Sequence, residues 1–282
     1  MTIAPADRAA WYPAAPSSAV TEGHATPTVL LGEGVALFRT DGVAAATGAD
    51  RRALAVTERY DHVWVCPGTP DRALFAIPEA AMPGRRAVPC GSIHVRCSPL
   101  RAVENFLDIA HFPFIHTGIL GEEPHTEVNR YDVRIDDDLD EVWARNITFH
   151  QPQASVSAEG ALDVRYEYRV PAPTTAILYK TCPARPAEWD VIAIFVQPVS
   201  EETCIAHPWM TMFDDATPHA DMVAFQQTIF LQDRSILENQ IPARLPLDPG
   251  MEVPTQADLT SIAYRRWLKR RGHAHGAQLV AA

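Results

Sequence analysis

Long apolar runs are missing from this chain. The longest, such as Val191 to Val196, fall far short of the about 20 residues that cross a bilayer as a helix, which excludes a helical membrane protein. A basic surplus is missing too. The formal net charge is -11 and the lysines and arginines are scattered, so nothing in the sequence prepares it for nucleic acid. The N-terminal stretch MTIAPADRAAWYPAAPSSAV lacks a basic region followed by an apolar core, which excludes a secretory signal and makes a cytoplasmic protein the expectation. Cysteine is scarce: Cys66, Cys90, Cys97, Cys182 and Cys204 are odd in number and widely spaced, the usage of reduced thiols rather than of a disulfide framework.

What is present is enough for a buried core. The 282 residues are 47% hydrophobic, which allows one large domain or two smaller ones. The most informative segment is Glu104 to His116, ENFLDIAHFPFIH. It sets an amide, a carboxylate and two imidazoles among apolar side chains, including Phe106, Leu107, Ile109, Phe112, Phe114 and Ile115. Apolar flanks imply burial, and buried polar groups need a partner that offsets their desolvation; a metal ion would serve all of them. At about 100° per residue, Asn105, Asp108 and His111 share one helical face, whereas His116 would point roughly 140° away from His111. Pro113 relieves the conflict, because proline should kink or end the helix near Phe112 and re-aim His116. Asp108 then stands one turn before His111, placed to accept its second ring N–H.

The string N-x-x-D-x-x-H-x-x-x-x-H, from Asn105 to His116, resembles the mononuclear iron site of Rieske non-heme iron oxygenases. The resemblance implies a third ligand, an aspartate on a long helix downstream. Phe225 to Gln240, FQQTIFLQDRSILENQ, is similar to that segment, with Asp233 in the ligand position. Asp215, Asp221 and Glu238 are acidic as well, and an acid on an amphipathic helix is usually solvated. Asp233 differs because Met222, Phe225, Gln226 and Ile229 give its helical face an apolar character. His111, His116 and Asp233 would form a facial triad for mononuclear Fe(II), with positions left for oxygen and substrate. Asp108, and Asn105 through a hydrogen bond, would support it, and the resemblance makes Asp108 the route by which electrons arrive. Met222, Phe225, Gln226 and Ile229 should line a substrate pocket. Gln226 either bonds the core or reads a polar edge of the substrate. Phe112 and Phe114 read first as core, and Asn105 can also be simple helix-start polarity.

The same family carries a [2Fe-2S] cluster on C-x-H and C-x-x-H pairs upstream of the iron motif, two cysteines on one iron and two histidines on the other. No C-x-H occurs here. Cys204 and His207 form a C-x-x-H after the motif, without a companion pair, which reads as chance. WYPAAPSS and VLLGEGVALFRTDGVAAATGADR resemble the opening strands of a Rieske domain, and ERYDHVWVCPG its closing strand. Only the segment Arg52 to Thr57 stands between them, where the family places both cluster loops. Residues 1–97 are therefore expected to be a truncated Rieske-like β remnant without cluster ligands, and residues 98–282 the catalytic domain. An unrelated small domain at the N-terminus is the alternative.

VNRYDVRIDDD, EVWARNITFHQ, LDVRYEYRVPAP, TAILYKTC, WDVIAIFVQPV and CIAHPWMTMF alternate like half-buried antiparallel strands. Thr217 and Pro218 should cap the long helix after them, which runs through about Gln240. The order is α+β, and the resemblance implies a helix-grip (START/Bet v 1-like) domain, an antiparallel sheet over a long C-terminal helix. The tail from Arg265 should fray, with His273 and His275 at the surface.

The resemblance further implies an enzyme that hydroxylates a small aromatic or heteroaromatic substrate with O2. Within the family, the missing cluster and the chain length are similar to the oxygenase subunits that N-demethylate methylxanthines in caffeine degradation. This implies 7-methylxanthine as substrate, formaldehyde as product, and electrons from a separate Rieske-bearing, NADH-dependent reductase. A glutathione-transferase-like structural subunit is a further expected partner. The alternative is a non-catalytic helix-grip subunit that binds a ligand or shapes an oxygenase complex. A 2-oxoglutarate oxygenase is disfavoured because its ligands run H-x-D then H. Zinc hydrolysis is open on ligand type alone.

Overall fold

Two small sheets at the N-terminus come first, and the reason is the chain's early density of turns. The computed structural model describes residues 3–156, 160–248 and 250–279. A short helix α1 (Pro5–Ala9) leads into β1 (Tyr12–Pro16), β2 (Thr26–Leu30), β3 (Glu33–Thr40), β4 (Val43–Gly48), β5 (Ala55–Arg59) and β6 (His62–Cys66). They form two three-stranded sheets, β1-β6-β5 and β2-β3-β4. The segment read as one closing strand is in fact a hairpin. Tyr60 and Asp61 both adopt positive φ, 54° and 59°, the geometry of a tight two-residue turn that matches strand twist.

The main sheet has eight strands and is antiparallel throughout. Its members are β7 (Arg86–Pro89), β8 (Ile93–Val95), β9 (Asp132–Asp136), β10 (Glu141–Gln151), β11 (Leu162–Ala172), β12 (Thr175–Thr181), β13 (Trp189–Ser200) and β14 (Thr203–Met212). The order is β7-β14-β13-β12-β11-β10-β9, and β8 also pairs with β14. The six strands from β9 to β14 fall on the six alternating segments of the sequence. β7 and β8 were not among them, so the sheet recruits chain from before residue 98.

Helices α2 (Pro99–Leu107), α3 (Phe112–Ile115), α4 (His219–Leu237) and α5 (Leu259–Arg271) lie on the inner face of this sheet, and a short parallel pair, β15 (Leu245–Pro246) and β16 (Ala277–Gln278), closes the chain. The helix-grip expectation is met: Phe230 and Leu237 of α4 share one core with Tyr166, Tyr168 and Ile194 of the sheet. Among the described residues, no helix is long and apolar enough to cross a membrane. The outer face of the sheet carries a second core, in which Trp64 of β6 meets Phe195 of β13 at 5.0 Å between ring centroids. The N-terminal sheets are thus packed onto the back of the main sheet.

Two expectations about ends are corrected. Thr217 does not cap α4; its hydroxyl and N–H both turn back to Asp214, and the helix begins after Pro218 and stops at Leu237. The tail does not fray at Arg265, since α5 runs to Arg271 and Gly272 ends it in the left-handed conformation with φ 77°. His273 and His275 are buried: Asp7 accepts from His273 Nδ1 at 2.9 Å and from the backbone N–H groups of Ala274 and His275.

Candidate metal centre

α2 begins at Ser98, whose hydroxyl accepts from Leu100 N–H, with Pro99 at the first helical position, where its missing N–H costs nothing. The helix was expected to run on to Phe112. It ends instead at Leu107, because Asp108 is extended (ψ 124°) and its Oδ1 accepts from Ala110 N–H at 2.8 Å, a side-chain turn that competes with the helix. Asn105, Asp108 and His111 therefore do not share one helical face. His111 caps the four-residue α3, where Pro113 opens the new turn rather than kinking an old one, and His116 follows its last residue. Gly121 holds the returning loop against this turn. A Cβ there would stand 2.9 Å from Pro113 N and 2.9 Å from Phe149 Cε1.

This break and restart brings the two imidazoles together with Asp233 of α4. His111 Nε2 and His116 Nε2 are 3.1 Å apart, and Asp233 Oδ1 is 3.2 Å from the first and 3.1 Å from the second. Each ring's other nitrogen is already engaged: His111 Nδ1 donates to Asp108 Oδ2 at 3.1 Å, and His116 Nδ1 donates to Gln232 Oε1 at 2.8 Å. With the proton held on Nδ1, the lone pair of each ring is on Nε2. Asp233 Oδ1 is buried and, despite two nitrogens nearby, has no aligned hydrogen bond. Three lone-pair donors thus converge on a common point instead of satisfying one another, which is what a cation requires of its ligands. Among the described residues these three are the group of three or more able to hold a metal ion.

The electrostatics agree. Burial pulls the His111 imidazole down, but its hydrogen bond to Asp108 and the nearby Asp233 carboxylate outweigh this and carry it up to about 9. Burial pushes the Asp233 carboxyl up, and the two imidazoles outweigh it and hold it below its ordinary value. The site attracts positive charge. Two imidazoles and one carboxylate suit Fe(II), with other positions open.

A cavity of about 1080 Å³, counting its solvent-open mouth, lies between α4 and the sheet and reaches the triad. Met222, Phe225, Gln226 and Ile229 all line it. Gln226 is buried at 7% exposure and its amide makes no hydrogen bond among the described residues, whereas the neighbouring Gln227 donates to the Cys90 carbonyl. Asn105 lines the cavity too, but no hydrogen bond joins its side chain to the triad among the described residues. Phe112 is buried against Phe149 and Tyr166, while Phe114, read from its flanks as core, is 62% exposed. Sequence reasoning missed Gln232, adjacent to the ligand Asp233 on α4, and it missed Lys180 and Asp190, two charged residues on the cavity wall.

Residues 95–274 match the family model described as vanillate O-demethylase oxygenase C-terminal domain. A protein of Pseudomonas sp. (strain TJI-51) named as a probable methylxanthine N7-demethylase, NdmC, is 46% identical over 94% of this chain and 95% of its own length. The solved structure of Pseudomonas putida CBB5 NdmA with caffeine superposes with a TM-score of 0.75 at 18% identity, covering 93% of this chain and 90% of that one. Dicamba monooxygenase bound to dicamba superposes with a TM-score of 0.72 at 18% identity, over 94% of this chain and 97% of the other. Both superpositions speak for the fold.

Proposed function

Since the chain belongs to the vanillate O-demethylase oxygenase C-terminal domain family and is a Rieske-type non-heme iron oxygenase, we propose that it removes the N7-methyl group of a methylxanthine, with 7-methylxanthine as substrate. The observation that carries this reading is the convergence of His111 Nε2, His116 Nε2 and the unpartnered Asp233 Oδ1 on the largely apolar cavity between α4 and the sheet. The name of the relative that is 46% identical supplies the substrate class.

Fe(II) held by these three residues would supply the activation of O2. Over the cycle the N-methyl compound, O2, two electrons and two protons become the N–H compound, formaldehyde and water, because the hydroxylated methyl group is a hemiaminal that releases formaldehyde. The chain's own residues hold and orient. Asp108 and Gln232 keep the protons on Nδ1 of the two imidazoles and so fix which nitrogen faces the metal. Phe112, Phe225 and Ile229 make the approach apolar and exclude water. Gln226, with its amide unspent, donates to or accepts from a polar edge of the ring.

Electrons come from a second polypeptide, a reductase that bears a Rieske centre and uses NADH. We read residues 1–97 as the remnant of a domain that has lost its cluster ligands, so the partner must supply the cluster. Asp108 is the point of entry: its side chain is 31% exposed, and it opens onto a surface groove lined by Glu104, Asn105 and Arg265.

Iron content and O2-dependent formaldehyde release from 7-methylxanthine, with and without a Rieske-bearing reductase and NADH, test this. About one iron per chain, with formaldehyde only in the presence of the reductase, is the expected result. Iron without formaldehyde discards the xanthine substrate, and no iron after anaerobic reconstitution discards the metal centre.

A further inference from the structure

The cavity wall contributed by the sheet is apolar along most of its length. Leu178, Ile192, Ile194, Met210 and Met212 all face into it. Two charges break this pattern. Lys180 and Asp190 are register partners across β12 and β13, both point into the cavity, and both are 5% exposed. Their position along the cavity follows from the pairing. Val191 pairs with Thr211, which carries Asp190 alongside Met212, and Met212 and Met210 pack with Met222 at the start of α4. Met222 lies eleven residues before Asp233, about 16 Å along the helix. The cavity therefore has a polar pole near the beginning of α4 and the triad near its end.

Neither charge is spent at its own end. The Lys180 ammonium has three protons to donate and, among the described residues, gives one to the Ala154 carbonyl. Asp190 Oδ1 is buried without a hydrogen-bond partner, while the Cys182 thiol and the Phe213 N–H stabilise the carboxylate. A buried donor and a buried acceptor side by side, both with capacity left, describe a complementary ligand edge: an acceptor next to a donor. Burial brings the Lys180 ammonium down to about 8 and pushes the Asp190 carboxyl up, so Lys180 still carries its charge at pH 7.

The geometry points to Lys180 and Asp190 as the specificity-determining pair of this oxygenase, reading a lactam edge of the substrate: Lys180 donates to a ring carbonyl and Asp190 Oδ1 accepts from the adjacent ring N–H. This rests on the methylxanthine reading and adds to it the reason for regioselectivity. In 7-methylxanthine the N1–H, C2=O and N3–H groups of the six-membered ring lie on the side away from the N7-methyl, whereas the C6 carbonyl stands beside it. Holding that edge at the polar pole turns the methyl group toward His111, His116 and Asp233. A substrate methylated on the ring nitrogens of that edge offers Asp190 no proton, and a buried acceptor left unpaired discriminates strongly.

The test is calorimetric binding of 7-methylxanthine and of 1,3,7-trimethylxanthine to the iron-reconstituted chain. The two share the N7-methyl, and only the first keeps ring N–H groups. The wild type should prefer 7-methylxanthine by about tenfold or more. Asp190→Asn should reduce the preference to about threefold or less, because the Phe213 N–H retains the amide oxygen and the NH2 then faces the substrate N–H. Lys180→Met, similar in volume, should weaken both ligands by about tenfold while keeping their order. A purely structural pair would lower the melting temperature and leave the preference alone; a folded Asp190→Asn protein with undiminished preference overturns the proposal. Should neither xanthine bind the wild type, the same comparison with 1-methylthymine and 1,3-dimethylthymine decides. A preference for the first that Asp190→Asn removes keeps the polar pole and discards the xanthine reading, and no preference overturns the pole itself.

Discussion

A pair of histidines lies on each face of the main sheet, and the two pairs share nearly the same ring separation and tilt. His111 and His116 lie 5.0 Å apart between centroids at 64°; His62 and His207, on the opposite face, lie 5.0 Å apart at 68°. Their partners differ. Beside the first pair stands the Asp233 carboxylate, with Asp108 and Gln232 fixing the outer nitrogens. The second pair is hydrogen-bonded to neutral groups: His62 Nδ1 bonds the Tyr60 carbonyl, and His207 is held by Ser92 and Gln197, while the nearby Asp61 charge acts on His62 too weakly to offset its burial. Consequently burial lowers His62, and burial together with His62 and His94 brings His207 well below its ordinary value, while His111 rises. Proximity of two imidazoles is common to core and site. What separates them is a carboxylate oxygen, Asp233 Oδ1, without a hydrogen-bond partner and two Nε2 lone pairs aimed at the same point.

The sharpest break of this comparison is Asp233→Ala. It removes the charge that distinguishes the first pair, and it should abolish iron binding and formaldehyde release, an effect beyond the about 10–100-fold that loss of an outer hydrogen-bond partner costs. Metal analysis of the purified protein checks it; retained iron would mean that the histidines alone suffice. Asp108→Asn comes next, with a drop of about 10–100-fold in iron affinity or turnover, read by iron titration and single-turnover assays. On the other face, His207→Gln should leave iron content untouched and cost about 1–3 kcal/mol of stability through the groups left unpaired, measured by urea denaturation. The smallest effect is one of pH. His62 and His207 are neutral in the folded protein because their values are depressed, so below about 6.5 the unfolded chain binds protons that the folded protein does not. Stability should therefore fall as pH drops from 7 to 5, and the fall should be shallower in His207→Gln.

The same comparison explains what the sequence made legible. The spacing from Asn105 to His116, with Asp233 on an apolar helical face, identified the residues that now converge, and alternation marked the strands β9 to β14. The C-x-x-H of Cys204 and His207 does not bring its two side chains together. On a strand, residues three apart point to opposite faces: Cys204 meets Cys97 in the inner core, and His207 meets His62 outside. The path of the backbone was less legible. Periodicity favoured one helix through Asp108, and only the side-chain turn to Ala110 N–H shows why it ends there. The Tyr60-Asp61 turn carries no glycine or asparagine to announce it. Lys180 and Asp190 did leave a signal, since each occupies an inward position in a strand whose other inward residues are apolar, but a period count without a sheet face does not reveal it.

The contact between Asp7 and the chain's far end has a consequence for how the protein is made. Asp7 is 3% exposed, and the groups that satisfy it, the His273 ring and the N–H groups of Ala274 and His275, come as many as 268 residues later. The same tail reaches α2, where Ser98 donates to the Gly276 carbonyl just ahead of the metal motif. At about 5–20 residues per second, a nascent chain waits on the order of 10–50 s between synthesising that aspartate and synthesising its partners. Until then the N-terminal sheets would enclose an uncompensated carboxylate. Translation must therefore pass His275 before the first helix can lock, and ribosome-bound chains cut short of His273 should stay protease-sensitive at both of these segments.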